Sequence, residues 1–207
     1  MGIAVMILGE SGSGKSASMR NFKNGDIGII QATKKTLPFR SDLKPVVCDD
    51  YKLITNALIG SKAKSLVIDD AQYLMANEFM RMAKVTGFQK FTDIALNFWN
   101  LIHTVTDSLP DDKIVYFMAH TERDSEGHEK MKTIGKMLDE KITIEGMFTV
   151  VLKTSVRDHK YQFATQTNGQ DTVKSPIGLF DTELIDNDLK AVDAAIRGYY
   201  ELTGGKE

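Results

Sequence analysis

The chain is 207 residues long, 42% apolar and 26% charged, enough to bury a core in one domain spanning residues 1–207. Its 26 Lys and Arg against 28 Asp and Glu leave a formal net charge of -2, which excludes a cationic coat for nucleic acid but not a local basic patch. The one cysteine, Cys48, excludes an internal disulfide framework and a Cys-rich zinc site. No apolar run approaches the ~18 residues that span a bilayer, and Met1 to Met6 lack a charged region and cleavage site, so a cytoplasmic protein with no membrane partner is expected.

Ile3 to Leu8 is a continuous apolar run ending at Gly9, the pattern of a strand buried on both faces. Lys15 to Phe22 suits a helix, Asp26 to Gln31 a second strand, Val46 to Cys48 a third, and Tyr51 to Ile59 a helix. Ser65 to Asp70 is another buried strand, ending in two acids, with helical stretches from about Leu74 to Val85 and Gln89 to Leu109. Phe91, Ile94, Phe98, Leu101, Ile102 and Val105 share one face of the latter, and Pro110 stops it. Lys113 to Ala119 is a buried strand ending at His120, and the densely charged stretch from Thr121 to Glu140 reads as a mobile loop with one helix near Ile134 to Leu138. Met147 to Val156 and Tyr161 to Thr167 read as antiparallel strands about a turn at Arg157 to His159, and Asn187 as the cap of a last helix buried along Leu189, Val192, Ile196 and Tyr199. Strands alternating with helices predict an α/β fold with a mostly parallel central sheet.

Gly9-Glu10-Ser11-Gly12-Ser13-Gly14-Lys15-Ser16 matches G-x-x-x-x-G-K-[ST] in full, between a buried strand and a helix. Such glycines let backbone N–H groups wrap phosphates, and the helix that continues through Ala17 aims its positive end at them. Lys15 would place its charge on the β- and γ-phosphates and Ser16 would offer a hydroxyl to Mg²⁺. A Gly-rich turn without function is the plain alternative. Asp69, at the carboxyl end of an apolar strand, has the form of the second metal-holding residue. Asp70 is a candidate for orienting or deprotonating water, or else caps the next helix. His120 at its strand end would face the γ-phosphate, or else bond only to backbone.

Together these residues resemble the small RecA-like P-loop ATPases encoded by bacteriophages, some of which act in single-strand annealing or recombination. The likeness covers most of the chain and rests on Gly9 to Ser16, Leu66 to Asp70, Met118-Ala119-His120, Lys174-Ser175-Pro176 and Asn187-Asp188-Leu189. It implies a RecA-like core, ATP and Mg²⁺, assembly into a ring or filament, single-stranded DNA and a single-strand DNA-binding protein as partners, and a bacterial host cell as location. It also implies a cation reaching the γ-phosphate from a neighbouring subunit, a position that Lys174 matches best, with Arg157 as substitute. Lys130, Lys132 and Lys136 fall where such proteins touch DNA, although Glu122, Asp124, Glu126 and Glu129 nearly cancel their charge.

The chain departs from that pattern at Gln31, which stands where a catalytic glutamate is expected and cannot act as a base. Either Asp70 does that work or hydrolysis is slow. A small kinase, which would want an Arg-bearing lid, and a nucleotide-held switch or assembly module with little hydrolysis are the rival readings. A guanine-reading motif is missing.

Overall fold

In the first strand, β1 (Ile3–Leu8), Ala4, Met6 and Leu8 project to one face and Val5 and Ile7 to the other, all buried. A strand apolar on both sides needs a layer of packing on each, which is why it lies inside a parallel sheet. The computed structural model describes residues 1–202, the side chains of Asp139 and Glu140 excepted. It places β1 between β5 (Ile114–Ala119) and β8 (Val150–Arg157). Beyond β5 come β4 (Ser65–Asp69), β2 (Ile27–Gln31) and the two-residue edge β3 (Val46–Val47), all parallel. Beyond β8 the sheet turns antiparallel through β9 (Lys160–Ala164) and β10 (Leu184–Asp186). The order is β10-β9-β8-β1-β5-β4-β2-β3.

Helices α1 (Tyr51–Gly60), α2 (Gln72–Arg81) and α3 (Gln89–His103) cover one face, where Ile54, Leu74 and Phe98 meet Met6, Ile68 and Phe117. The other face carries a short 3₁₀ helix (Ser16–Asn21) and α4 (Leu189–Tyr199), with Met19, Leu189 and Ile196 against Val5, Val67 and Tyr116. Helix α4 is also fixed by polar groups. Buried Asp193 accepts from Ser65 Oγ at 2.7 Å and Tyr116 Oη at 2.9 Å, and pairs with Arg197 at 2.7 Å. Arg197 then donates to the carbonyls of Asp112 and Lys64 at 2.8 and 3.0 Å. No helix among the described residues is long and apolar enough to cross a membrane.

Several sequence expectations need correction. The helix expected over Lys15 to Phe22 is only the six-residue 3₁₀ turn, because Ser18 bonds back through Oγ to the Lys15 carbonyl at 2.6 Å and the chain leaves extended at Phe22. The expected mobile loop after His120 holds a hairpin, β6 (Thr121–Arg123) with β7 (Glu129–Met131), followed by a π-helical turn at Met137–Ile142. Charge pairing accounts for its order: Glu129 bonds Arg123 at 3.1 Å and Lys153 at 2.8 Å, and Lys153 also meets the buried Asp171 carboxylate at 2.5 Å. The long helix ends at His103 and continues as a π turn over Thr104–Ser108. Asp188, not Asn187, caps α4, accepting from Lys190 N at 3.0 Å, and Tyr199 lies exposed.

Phe117 lies at the centre of the helix-covered face, with the rings of Phe98 and Phe148 at 6.3 and 5.4 Å. Phe117→Ala should cost about 3–5 kcal/mol in urea unfolding, the range for emptying an aromatic core position. A loss under about 1 kcal/mol would show that this layer collapses around the change.

Candidate functional site

Sheet parity builds the site. Ile29, Val67 and Met118 point to the face that carries the 3₁₀ turn, so Gln31 and Asp69, two residues further along their strands, fall on that face at the carboxyl edge, and His120, just past the end of β5, lines the same cleft. The loop from Gly9 to Ser16 leaves β1 beside them. Lys15, 5% exposed, donates from Nζ to the carbonyls of Gly9 at 2.7 Å and Glu10 at 2.8 Å. Ser16 Oγ donates to Asp69 at 2.9 and 3.1 Å. Gln31 Nε2 reaches the same carboxylate at 3.5 Å.

Two residues make the loop's close turns necessary. A Cβ on Gly9 would sit 1.8 Å from Thr154 Oγ1, which bonds the Leu8 carbonyl at 3.2 Å and Ser13 Oγ at 2.6 Å. At Gly14 the backbone has φ +99°, and a Cβ there would lie 2.8 Å from the Tyr161 ring. The 3₁₀ turn is tied to the start of α4, since Arg20 donates to the Asn187 carbonyl and Asn21 to Asp188 at 2.7 Å.

The loop opens on a cleft of about 370 Å³ whose lining includes Ser11, Gly12, Gly14, Lys15, Ser16 and Ala17, faced by Lys35, Asp70, His120 and Tyr161. Asp70, at φ +59°, does not cap α2 through its side chain. Its carboxylate meets Lys35 Nζ, and its Oδ1 lies 3.5 Å from His120 Nε2. Lys35 also lies 3.9 Å from Asp69. Sequence reasoning missed Lys35; its only sign was its place just past the end of β2. Tyr161 and Thr154 carry no sequence signal beyond the strand pattern, although the hairpin they belong to leans on the loop from Gly9 to Ser16.

Burial decides the charge states. It pulls the Lys15 ammonium down to about 8, against partial compensation from Asp70 and Asp69. Burial raises the Asp69 carboxyl above its usual range, with Lys35 opposing. Burial and then the Lys15 charge hold His120 below its ordinary value, so the imidazole is neutral near pH 7 and its approach to Asp70 is polar contact, not an ion pair.

The remaining candidates lie elsewhere. Lys174 is exposed and pairs by backbone with Val151 at 2.8 and 3.0 Å, on the outer side of β8, and it does not line its own chain's cleft. Arg157 is exposed at the end of β8, before a turn whose Asp158 and His159 both have positive φ. Lys130 stands opposite Glu122 in the hairpin, Lys132 follows it with its N–H on the His120 carbonyl at 2.8 Å, and Lys136 precedes the π turn.

Hydroxyl and carboxylate oxygens are hard donors suited to Mg²⁺, and Ser16 with Asp69 supplies one of each. Among the described residues no group of three or more His, Cys, Asp or Glu is placed to hold a metal. Compared with known proteins, the chain matches no family model and no curated sequence.

Lys15 gives a pH test. With its folded value near 8 and its unfolded value near 10.5, the unfolded chain holds the extra proton between these limits, so stability rises with pH there. Denaturant unfolding at pH 7.5 and 9.5 should show a gain of roughly 1–2 kcal/mol in the wild type that Lys15→Met lacks. Equal pH dependence in both would remove the buried-cation account.

Proposed function

We propose that the chain is an ATP-binding, Mg²⁺-dependent ATPase with a RecA-like P-loop core, acting on single-stranded DNA in phage recombination, annealing or replication. The observation that carries the nucleotide part is the Ser16–Asp69 contact beside Lys15, on the wall of one cleft. Loop N–H groups and Lys15 would take the phosphates, and Ser16 and Asp69 would hold Mg²⁺, which supplies charge neutralisation of the phosphates when bound. The six-residue 3₁₀ turn is shorter than the helix the sequence suggested, so backbone N–H groups and Lys15, more than a helix dipole, supply the anion affinity. The DNA role, the ring or filament, and the bacterial cytoplasm come from the sequence resemblance.

A second reading, a nucleotide-held switch with little turnover, is favoured by Gln31 and by the engagement of Asp70 with Lys35. Lys35 holds Asp70 Oδ2, while the buried Oδ1 has no hydrogen-bond partner and faces His120 at 3.5 Å. ATP turnover with and without single-stranded DNA, beside gel filtration with and without nucleotide, separates the two. DNA-stimulated turnover with assembly supports the first; tight binding without turnover supports the second.

Lys15→Ala should lower ATP affinity at least tenfold in calorimetry, and Asp69→Asn should shift the Mg²⁺ titration to higher concentration. Normal ATP binding by Lys15→Ala would refute the site. If Lys174 reaches a neighbour's phosphates, mixing Lys174→Ala with Lys15→Ala subunits should restore part of the turnover. No recovery with assembly intact would remove that role.

A further inference from the structure

We propose that Lys35 makes divalent-cation binding in the phosphate cleft conditional on nucleotide. Its ammonium balances Asp69 and Asp70 in the place a bare cation would take, and a triphosphate draws it off them onto phosphate oxygens. The transfer to phosphate rests on the ATP reading of the cleft; the exclusion of a bare cation does not.

Lys35 Nζ pairs with Asp70 Oδ2 and lies 3.9 Å from Asp69 Oδ2. Both acids are buried, so without this cation two like charges would face one another in a poorly solvated wall. Among the described residues, Lys35 is the only Lys or Arg within ion-pair distance of either acid. The other donors to Asp69 are neutral: the Ser16 hydroxyl at 2.9 and 3.1 Å and the Gln31 amide at 3.5 Å. Lys15, the second cation of the cleft, is engaged by the carbonyls of Gly9 and Glu10 at 2.7 and 2.8 Å.

The acids are fixed and the lysine is not. Asp69 ends β4 and Asp70 opens the turn into α2, whereas Lys35 follows β2 in a segment without regular structure, its side chain 38% exposed. Thr36 and Pro38 of that segment line the cleft as well. A lysine carries its charge on a long flexible stem, so the ammonium can leave the acids for the cleft while the backbone stays in place. Charge then sets the order of events. A divalent cation alone meets the ammonium on the same oxygens and adds positive charge to a wall already balanced, which repulsion opposes. A triphosphate carries more negative charge than the cation carries positive, so the two together offer Lys35 phosphate oxygens in exchange for carboxylates. A lysine that merely fastened its segment to the sheet edge would leave metal affinity unchanged when removed.

The test is a titration of Mn²⁺, as a probe for Mg²⁺, onto the full chain without nucleotide, read by electron paramagnetic resonance. Lys35→Met should bind Mn²⁺ about tenfold more tightly than the wild type, and Lys35→Arg should match the wild type. Adding Asp69→Asn to Lys35→Met should abolish the gain. Lys35→Gln gives the same reading should Lys35→Met not fold. Calorimetry with Mg²⁺ and β,γ-imido-ATP should move the other way, Lys35→Met binding the nucleotide about tenfold more weakly. A folded Lys35→Met that binds Mn²⁺ no more tightly than the wild type overturns the proposal, and so does a gain that survives Asp69→Asn. Undiminished nucleotide affinity in Lys35→Met overturns the transfer to phosphate. If the folded wild type binds no nucleotide while Lys35→Met still gains Mn²⁺ affinity, the ATP reading falls and the exclusion of a bare cation stands.

Discussion

Side chains alternate along a strand, and here parallel strands in register make that alternation decide where the strand-borne polar groups of the cleft go. Gln31, Asp69 and Thr154 follow Ile29, Val67 and Leu152, all buried on one face. The loop after β1 turns onto that same face, because Met19 and Phe22 bury there. A one-residue slip of β4 would carry Asp69 to the side of α2 and away from Ser16. The apolar residues thus fix the chemistry by fixing the register.

Collecting these groups has an electrostatic consequence. Two ammonium groups, Lys15 and Lys35, face two carboxylates, Asp69 and Asp70, three of the four well buried. Buried charges left unbalanced are costly, and each pair offsets the other. Lys15 leans on loop carbonyls and Lys35 on the acids, and both line the cleft. Any anion entering would draw both, and any divalent cation on Asp69 would compete with Lys35 for the same oxygens.

The buried strands were legible because their apolar runs are unbroken: β1, β4 and β5 begin or end within a residue or two of their expected bounds. The loop from Gly9 to Ser16 was legible for a different reason, since a Gly-rich turn before Lys-Ser has a mechanism attached to its spacing. The 3₁₀ turn was hidden because Ser18 satisfies a helix carbonyl with its own hydroxyl, which no periodicity shows. Lys35 was hidden because its partners lie 34 and 35 residues away on another strand. The β6–β7 hairpin was hidden by composition, where mixed charges that suggest solvent are in fact neutralising one another.

The carboxylate of Asp193 joins the last helix to two interior strands, through Ser65 and Tyr116, while Arg197 ties the same helix to the turns that lead into them. Removing α4 would strip an apolar cover from the sheet and also strand a phenol and a serine hydroxyl in a dry interior. The C-terminal helix is therefore a keystone rather than an appendage. A fusion that continues past it respects the fold, whereas a cut before it does not.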